Sequence, residues 1–299
     1  MFERILAAVD ESARAAQVMR VGRALAQESR GALVVLRVRP EAPDRDRVTD
    51  DDAALAEQTI ALRTSGIAAH YLVHLGHPER QIIETALRQR STLIIIAARE
   101  HGPRLTPRHR MTARLAAQAP APLLVLPERA AQEMAATAEF DDFGPTDAPI
   151  VVALDGSPLA ERALPFAAEF AARLGHPLAL LHVASPLRNQ EELAKAWSYV
   201  EDVRHRVREH ISRDLTIDTQ VVVGAPVDEL LWAVEGRRAG AIVMTAHGRH
   251  ESHSNRASAI TLDAVRKLRI PALIIPTPVL ALNDGAREEI STDTPTREG

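Results

Sequence analysis

An internal repeat restricts the possible folds of this chain more than any other feature of its sequence. Residues 5–12 recur 145 residues later as residues 150–157, and each copy is an apolar run that ends in Asp-x-Ser. The later matches pair 32–38 with 177–183, 73–78 with 222–226, 93–97 with 241–245, and 122–127 with 271–276. Matching segments in an unchanged order indicate a duplicated domain. The sequence therefore predicts two copies of one fold.

Within each copy, short continuous apolar runs alternate with segments of helical periodicity. The first helical segment covers residues 13–28 in the first copy and 159–174 in the second. Continuous apolar runs are typical of strands that are buried on both faces. Parallel strands joined by right-handed helical connections form a doubly wound sheet. We therefore predict an α/β protein with two doubly wound, open, parallel five-stranded sheets, one in each half.

Breaks in this alternation divide the chain into domains. The pattern is lost between the two copies and again near the C-terminal end, where the sequence becomes polar. Polar segments without periodicity are typical of linkers and mobile tails. The sequence predicts a first domain at 1–128, a linker at 129–147, a second domain at 148–279 and a mobile tail at 280–299.

The composition is that of a globular protein, with 46% hydrophobic and 25% charged residues. A net charge of −4, with both signs interspersed, provides no broad positive field for nucleic acid. No segment approaches the roughly 18 apolar residues of a membrane-spanning helix. Cysteine is absent, which excludes disulfides and thiolate metal sites. We expect a cytoplasmic protein without nucleic acid or membrane partners.

The polar residues of interest follow the predicted strands directly. In an open parallel sheet, ligands bind outside the carboxyl ends of the strands. The residues at that edge are Asp10, Val38 and the turn 76–78 in the first half, and Asp155, Val183 and the turn 224–226 in the second. A carboxylate there accepts hydrogen bonds from a base amino group or a ribose hydroxyl. An Asp and a Ser before a helix are also typical of an N-cap, so the residues alone leave ligand binding and capping both open.

The segment 241–249, Ala-Ile-Val-Met-Thr-Ala-His-Gly-Arg, together with 258–260 and 271–276, resembles the universal stress protein family. The resemblance covers nearly all of both halves. It implies Rossmann-like domains of the adenine nucleotide alpha hydrolase-like type. It also implies ATP binding through a pattern of Gly-x-x-Gly, nine residues and Gly-Ser/Thr after the fourth strand. Glycines let backbone amides approach phosphate closely, and the next helix N-terminus supplies further amides.

In the second half, the residues at this pattern are Thr245, Gly248, Ser258 and Ala259. The spacing is intact, but Thr245 and Ser258 stand where glycines are expected, which predicts weakened or altered phosphate binding. In the first half the corresponding residues are Ala97, Glu100 and His109-Arg110, and that loop is one residue shorter. Glu100 would repel a triphosphate, so we predict a degenerate first-half site.

The resemblance implies an adenine nucleotide, ATP or AMP with or without Mg²⁺, as the ligand of a stress-associated protein that is often a homodimer. The candidate binding residues are Asp155, Gly156, Ser157, Val183, Gly224, Pro226, Met244, Thr245, Gly248, Ser258, Ala259 and Ile260, with Asp10 and Val38 in the first half. The first hypothesis is a nucleotide-responsive regulator. The second is an interaction scaffold that has lost the ligand and acts through dimer surfaces. Slow ATP hydrolysis in the second half is the third.

Catalytic and metal-binding alternatives have weaker support in the sequence. Ser12 and Ser157 stand beside aspartates, but neither has the base and elbow that a nucleophilic serine needs, which favours capping. His247, His250 and His253 recur at every third residue, a spacing that zinc ligands can use. Their polar surroundings favour an exposed loop of solvated histidines instead. We therefore expect neither catalytic residues nor a metal site.

Overall fold

The computed structural model describes residues 2–12, 14–39, 50–97, 107–126, 143–184, 189–211, 214–248 and 257–280. The predicted linker at 129–147 lies outside the described residues as far as residue 142. The predicted tail at 280–299 lies outside them from residue 281 onward. No helix among the described residues is long and apolar enough to cross a membrane.

Each half alternates strands and helices in the predicted order. The first half contains β1 (Arg4–Val9), α1 (Ala15–Ser29), β2 (Ala32–Arg39), α2 (Asp50–Thr64), β3 (Ala68–Leu75), α3 (Pro78–Arg88), β4 (Leu93–Ala97), α4 (Pro107–Gln118) and β5 (Leu123–Leu126). The second contains β6 (Ile150–Leu154), α5 (Pro158–Glu161), α6 (Leu164–Leu174), β7 (Leu178–Ala184), α7 (Gln190–His210), β8 (Ile217–Val223), α8 (Pro226–Gly236), β9 (Ala241–Thr245), α9 (Ala259–Lys267) and β10 (Ala272–Ile275).

The helical segment expected at 159–174 is two helices, α5 and α6. Pro165 lies in the first turn of α6. A proline has no amide N–H to donate to the preceding turn, so it suits the start of a helix and interrupts one that is already under way. The proline therefore explains why one periodic segment forms two helices.

The sheet confirms the predicted parallel, doubly wound class. The strand order is β3-β2-β1-β4-β5-β10-β9-β6-β7-β8, so each half repeats the same arrangement about its first strand. β1 pairs in parallel with β2 and β4, and β6 pairs in parallel with β7 and β9. The carboxyl ends of β1 and β4, and of β6 and β9, therefore lie side by side where the strand order reverses.

The two five-stranded halves join edge to edge into one ten-stranded sheet, a connection that the sequence did not predict. β5 and β10 run antiparallel, with Leu124 opposite Leu273. Both strands are fully buried along their length. Their pairing satisfies backbone N–H and C=O groups that two buried sheet edges would otherwise leave without partners.

The helices cover both faces of this sheet. Buried side chains of α1, α2, α6 and α7 pack on one face, and those of α3, α4, α8 and α9 pack on the other. Near the junction, Phe170 of α6 makes edge-to-face contacts with Phe2, at 5.6 Å between ring centroids, and with Phe143, at 5.3 Å. Phe2 precedes β1, so this aromatic group connects the two halves. The buried Phe143 belongs to the segment predicted as linker.

Candidate functional site

Each half has a cleft at the carboxyl ends of its strands, the position at which the sequence predicts ligand binding. The second-half cleft has a volume of about 370 Å³ and the first-half cleft about 230 Å³. Pockets for small molecules generally enclose about 300 to 1,000 Å³. The second-half cleft is within this range, whereas the first is below it.

The structure brings most of the predicted site residues together. Those lining the second cleft are Asp155, Val183, Pro226, Met244, Thr245, Gly248, Ser258, Ala259 and Ile260. Asp10 and Val38 line the first cleft, with Gly76, Pro78 and Ala97 beside them. Gly156, Ser157 and Gly224 line neither cleft. Glu100 and the side chains of His109 and Arg110 lie outside the described residues.

Asp155 and Ser157 form a turn that both caps a helix and faces the cleft. The Asp155 Oδ1 atom accepts hydrogen bonds from the backbone N–H of Ser157 at 2.9 Å and from its hydroxyl at 2.5 Å. Ser157 Oγ in turn accepts the N–H of Ala160 in α5 at 3.2 Å, which confirms the capping interpretation. Gly156 has φ of +79°, a conformation that favours glycine. The turn thus holds the Asp155 carboxylate in one orientation.

Gly248, in the turn that follows β9, lies against the same carboxylate. A Cβ atom at this position would lie 2.6 Å from Asp155 Oδ2, closer than atoms can approach without a shift. Any larger residue at this position would therefore force the Asp155 carboxylate or the backbone at residue 248 to shift. The Gly-x-x-Gly of the family pattern falls on Thr245 and Gly248 in this chain. The glycine that remains, Gly248, is the one that lies against Asp155.

His247 is buried, so the expectation of a solvated loop histidine is wrong for this residue. The residue is 2% exposed, and its Nδ1 lies 2.8 Å from the Thr277 hydroxyl. Its carbonyl accepts the Thr245 hydroxyl at 2.6 Å. His250 and His253 lie outside the described residues. Within the described part of the chain, no group of three His, Cys, Asp or Glu side chains could hold a metal ion.

Ser258 begins α9 with its side chain as the cap. Its hydroxyl oxygen accepts the N–H of Thr261 at 3.1 Å and lies 3.0 Å from the Thr261 hydroxyl. The Thr261 hydroxyl donates to the carbonyl of Thr245 at 3.1 Å. The N–H of Ser258 donates to the carbonyl of Ala246 at 2.7 Å. These bonds attach the start of α9 to the end of β9.

Sequence reasoning missed several residues of the second cleft. These are Ala153, Leu154, Ala160, Leu230, His247 and Thr261. Ala160, Leu230 and Thr261 lie one turn inside the helices that follow the predicted tips, so helical spacing could have identified them. Asp155 is the one charged side chain among the described residues that line this cleft.

His182 of β7 and Tyr199 of α7 lie in contact with each other and close to Asp155. The His182 ring contacts the Tyr199 ring edge-on at 5.0 Å, and its Nδ1 lies 2.9 Å from the carbonyl oxygen of Leu154. Burial, together with the nearby Glu161 carboxylate, raises the pKa of the Tyr199 phenol. The neutral phenol is therefore the stable form in the folded protein.

The first-half cleft has a different charge arrangement. Arg14 lines it together with Asp10. Nearby, Arg37 occupies the position that His182 has in the second half. Its side chain is 1% exposed and lies 3.0 Å from the Glu11 carboxylate, which is 67% exposed. The repeat therefore preserved the aspartate of each cleft, Asp10 and Asp155, but not the other polar groups around it.

Comparison with solved structures supports the architecture across the whole chain. A functionally unknown protein from Pseudomonas aeruginosa PAO1 is 16% identical, with a TM-score of 0.67 over 96% of this chain and 97% of that one. A universal stress protein from Archaeoglobus fulgidus DSM 4304 is 17% identical, with a TM-score of 0.66 over 92% of this chain and 99% of that one. At these identities the likeness shows the fold alone.

A further universal stress protein from Archaeoglobus fulgidus, solved in complex with dAMP, is 24% identical and covers 44% of this chain and 99% of its own, with a TM-score of 0.36. Among curated proteins, none matches the chain. The model of the universal stress protein family matches residues 1–127 and again residues 148–276. With two matches that together span most of its length and a repeated sheet of the same strand order, the chain belongs to the universal stress protein family as a tandem member.

Proposed function

We propose that the second half binds an adenine nucleotide, AMP or ATP, as a regulatory ligand in the cleft at the tips of β6, β7 and β9. One observation carries the proposal: a cavity of about 370 Å³ lies at the strand tips, where the sheet order reverses. Ligands of open parallel sheets bind at this position. On this account the occupied state changes how the protein interacts with its partners.

The lining suits the parts of a nucleoside. Val183, Leu230 and Met244 supply apolar surface for the face of a base. The oriented Asp155 carboxylate accepts hydrogen bonds and so can hold a base amino group or a ribose hydroxyl. Because Ser157 and Gly248 fix this carboxylate before any ligand arrives, the site is preorganised, which lowers the entropic cost of binding.

The proposed role is binding and regulation rather than fast chemistry. The Ser157 hydroxyl donates to Asp155, and its oxygen accepts the N–H of Ala160 at the start of α5. This serine is therefore held as a helix cap, and it is not among the described residues that line the cleft. Mg²⁺ would accompany ATP and would have to be held mainly by the phosphates. We also propose a cytoplasmic homodimer. Because β5 and β10 pair within the chain, a dimer would use another surface, and light scattering on the purified protein tests this.

A matched pair of variants tests the binding site. Ala153 and Ala8 occupy equivalent positions of the repeat, are half-buried, and line the second and the first cleft respectively. Leucine at either position adds volume to one cleft only. In calorimetric titrations with AMP and ATP, we expect Ala153→Leu to weaken binding at least about tenfold and Ala8→Leu to leave it unchanged.

Two outcomes would contradict the proposal. If Ala8→Leu abolishes binding while Ala153→Leu does not, the ligand occupies the first half. If the wild-type protein binds neither nucleotide and its melting temperature does not rise with either, the scaffold hypothesis is correct. The hydrogen bonds among Thr245, Ser258 and Thr261 are the observation that favours this second candidate, because they give these three residues partners within the protein and without a ligand.

A further inference from the structure

We infer that His182 is a positioning residue of the second-half cleft, which holds the main chain at Asp155 in the orientation that nucleotide binding needs. The inference rests on the proposed function, because it names a residue on which binding in that cleft depends. His182 is not among the described residues that line the cleft, so it acts on the ligand through the end of β6. A hydrogen bond, a ring contact and a comparison of the two halves carry the inference.

His182 and the cleft residue Val183 lie on opposite faces of β7. Successive side chains of a strand point to opposite faces of the sheet. Leu180 packs in the core that lies under α6 and α7, whereas Leu181 packs in the core on the other face. On the first of these faces, the His182 ring meets Tyr199 of α7 edge-on, at 5.0 Å between ring centroids. This contact holds the imidazole in place without exposing it to the ligand position.

The His182 ring is hydrogen-bonded to the main chain immediately before Asp155. Its Nδ1 lies 2.9 Å from the carbonyl oxygen of Leu154. A carbonyl oxygen only accepts hydrogen bonds, so Nδ1 carries a proton and donates it. The carbonyl of Leu154 and the N–H of Asp155 belong to one planar peptide group. The bond therefore also fixes the direction in which the chain enters Asp155.

This bond lies where the regular pairing of β6 ends. β6 pairs with β9 as far as Val152 and with β7 as far as Leu154, which is opposite His182. Beyond this point the Asp155 Oδ1 atom accepts the N–H of Ser157 and so shapes the turn. The imidazole thus supplies a donor between the last strand pairs and the turn. Such supporting bonds keep the groups of a binding site within the small displacements that a ligand tolerates.

The equivalent residue of the first half also contacts the turn after its strand. The repeat places Arg37 at the position of His182, and Arg37 is opposite Val9, the last residue of β1. The Arg37 guanidinium lies 3.0 Å from the carboxylate of Glu11, the residue after Asp10. In both halves, therefore, this position contacts the turn that carries the cleft aspartate, although through different atoms. The shared location favours a role of the position in placing that turn.

A second buried histidine provides a matched control. The Nδ1 of His176 lies 2.7 Å from the carbonyl oxygen of Ala148, and each of the two histidines bonds to a residue 28 positions earlier. Ala148 precedes β6 and is therefore at the end of the strand away from the cleft. His182→Phe and His176→Phe each remove one donor to a main-chain carbonyl and keep a planar ring.

The two phenylalanine variants separate affinity from stability. Both should lower the melting temperature, because each leaves a carbonyl without its histidine donor. In calorimetric titrations with AMP, we expect His182→Phe to bind at least about tenfold more weakly than the wild-type protein. His176→Phe should bind AMP as the wild-type protein does. Equal affinities of the two variants would overturn the inference.

Rescue by an amide side chain distinguishes positioning from packing. An asparagine amide places its N–H groups near the position of Nδ1, whereas the longer glutamine side chain places them near that of Nε2. His182→Asn should therefore bind AMP with nearly the affinity of the wild-type protein. His182→Gln should bind as weakly as His182→Phe. If asparagine restores the affinity no better than glutamine does, the bond to Leu154 does not position the site.

A measurement on the wild-type protein tests the bond without any substitution and so does not depend on the folding of a variant. Nitrogen-15 chemical shifts of the histidine rings report which nitrogen carries a proton, and we expect a protonated Nδ1 at His182. An unprotonated Nδ1 there would overturn the inference and leave the proposed function standing. If the wild-type protein does not bind AMP or ATP, the proposed function is wrong and the inference fails with it.

Discussion

At the scale of single residues, Asp155 links the repeat to the candidate site. Its position after a buried strand and before a serine is visible in the sequence of both halves. Its contacts with Ser157 and Gly248 are not, because Gly248 lies more than ninety residues further along the chain. The sequence could therefore identify the carboxylate but could not decide between capping and ligand binding. In the structure, the Asp155 carboxylate belongs to the capping turn and also lines the second-half cleft.

Gly248→Ala should disturb this carboxylate. The added Cβ atom would lie 2.6 Å from Asp155 Oδ2, so either the carboxylate or the loop must move. We expect about tenfold weaker AMP binding in a calorimetric titration and a loss of about 1 kcal/mol in the free energy of unfolding. Gly236→Ala is the control, because no atom lies within 4 Å of its added Cβ. Equal effects of the two substitutions would contradict the account.

The raised pKa of Tyr199 predicts that the stability of the protein depends on pH in the alkaline range. Burial raises the pKa of its phenol, so the folded state favours the neutral form. An unfolded tyrosine ionises near its usual pKa of about 10. The contribution of the neutral Tyr199 phenol to the free energy of unfolding is therefore complete below about pH 10. It is lost as the pH rises through the pKa of the folded state. In denaturant titrations, Tyr199→Phe should gain stability relative to wild type above about pH 10. A difference that stays constant from pH 8 to 11 would contradict this.

At the scale of helices and strands, the central strands were predictable and the sheet junction was not. β4 and β9 are continuous apolar runs because both faces are covered by helices. The outermost strands, β3 and β8, are partly exposed and were found mainly from the glycine and proline turns that follow them. β5 and β10 look like any other buried strands in the sequence. Nothing in their residues shows that each pairs with the other.

The contacts at the ends of the loop after β9 could not be predicted from the sequence either. Its spacing was visible in the sequence, but the bond from Thr261 to Thr245 joins residues that lie sixteen positions apart. The contact between His247 and Thr277 spans thirty. Such contacts depend on how α9 and β10 are placed in three dimensions. Periodicity and spacing therefore could not show these hydroxyl contacts at the two described ends of the loop.

Phe170 in α6 tests how the halves are joined. It is fully buried, and its ring contacts Phe2 from the first half and Phe143 from the connecting segment. Phe170→Ala should lower the free energy of unfolding by about 3 to 5 kcal/mol in a denaturant titration. Trp232→Ala is the control, since its side chain is 64% exposed, and it should change stability by no more than about 0.5 kcal/mol. A Phe170→Ala effect as small as the control would show that the aromatic contact does not join the halves.

At the scale of the whole molecule, one sheet runs through both halves. The predicted division at 1–128 and 148–279 describes the duplication, but β5 and β10 share backbone hydrogen bonds across it. The N–H of Ala257, beside the second cleft, also donates to the carbonyl of Ala113 in α4. Partial unfolding of either half would expose these groups. We therefore expect the halves to unfold together.

The two tryptophans make this expectation measurable. Trp197 and Trp232 both lie in the second half, so their fluorescence reports on that half alone, whereas far-ultraviolet circular dichroism reports on both. In a guanidinium titration the two signals should have the same midpoint. A fluorescence midpoint distinct from that of circular dichroism would show that the halves are independent folding units.

The most direct test of the central claim uses two methionines that line different clefts. Met244 lines the second-half cleft, and Met111 lines the first. With carbon-13 at the methionine methyl groups and resonances assigned through Met244→Leu and Met111→Leu, a titration with AMP observes both clefts in one sample. We expect the Met244 methyl resonance to shift saturably and the Met111 resonance to stay in place. A saturable shift of Met111 alone, or of neither methyl group, would contradict a nucleotide site in the second half.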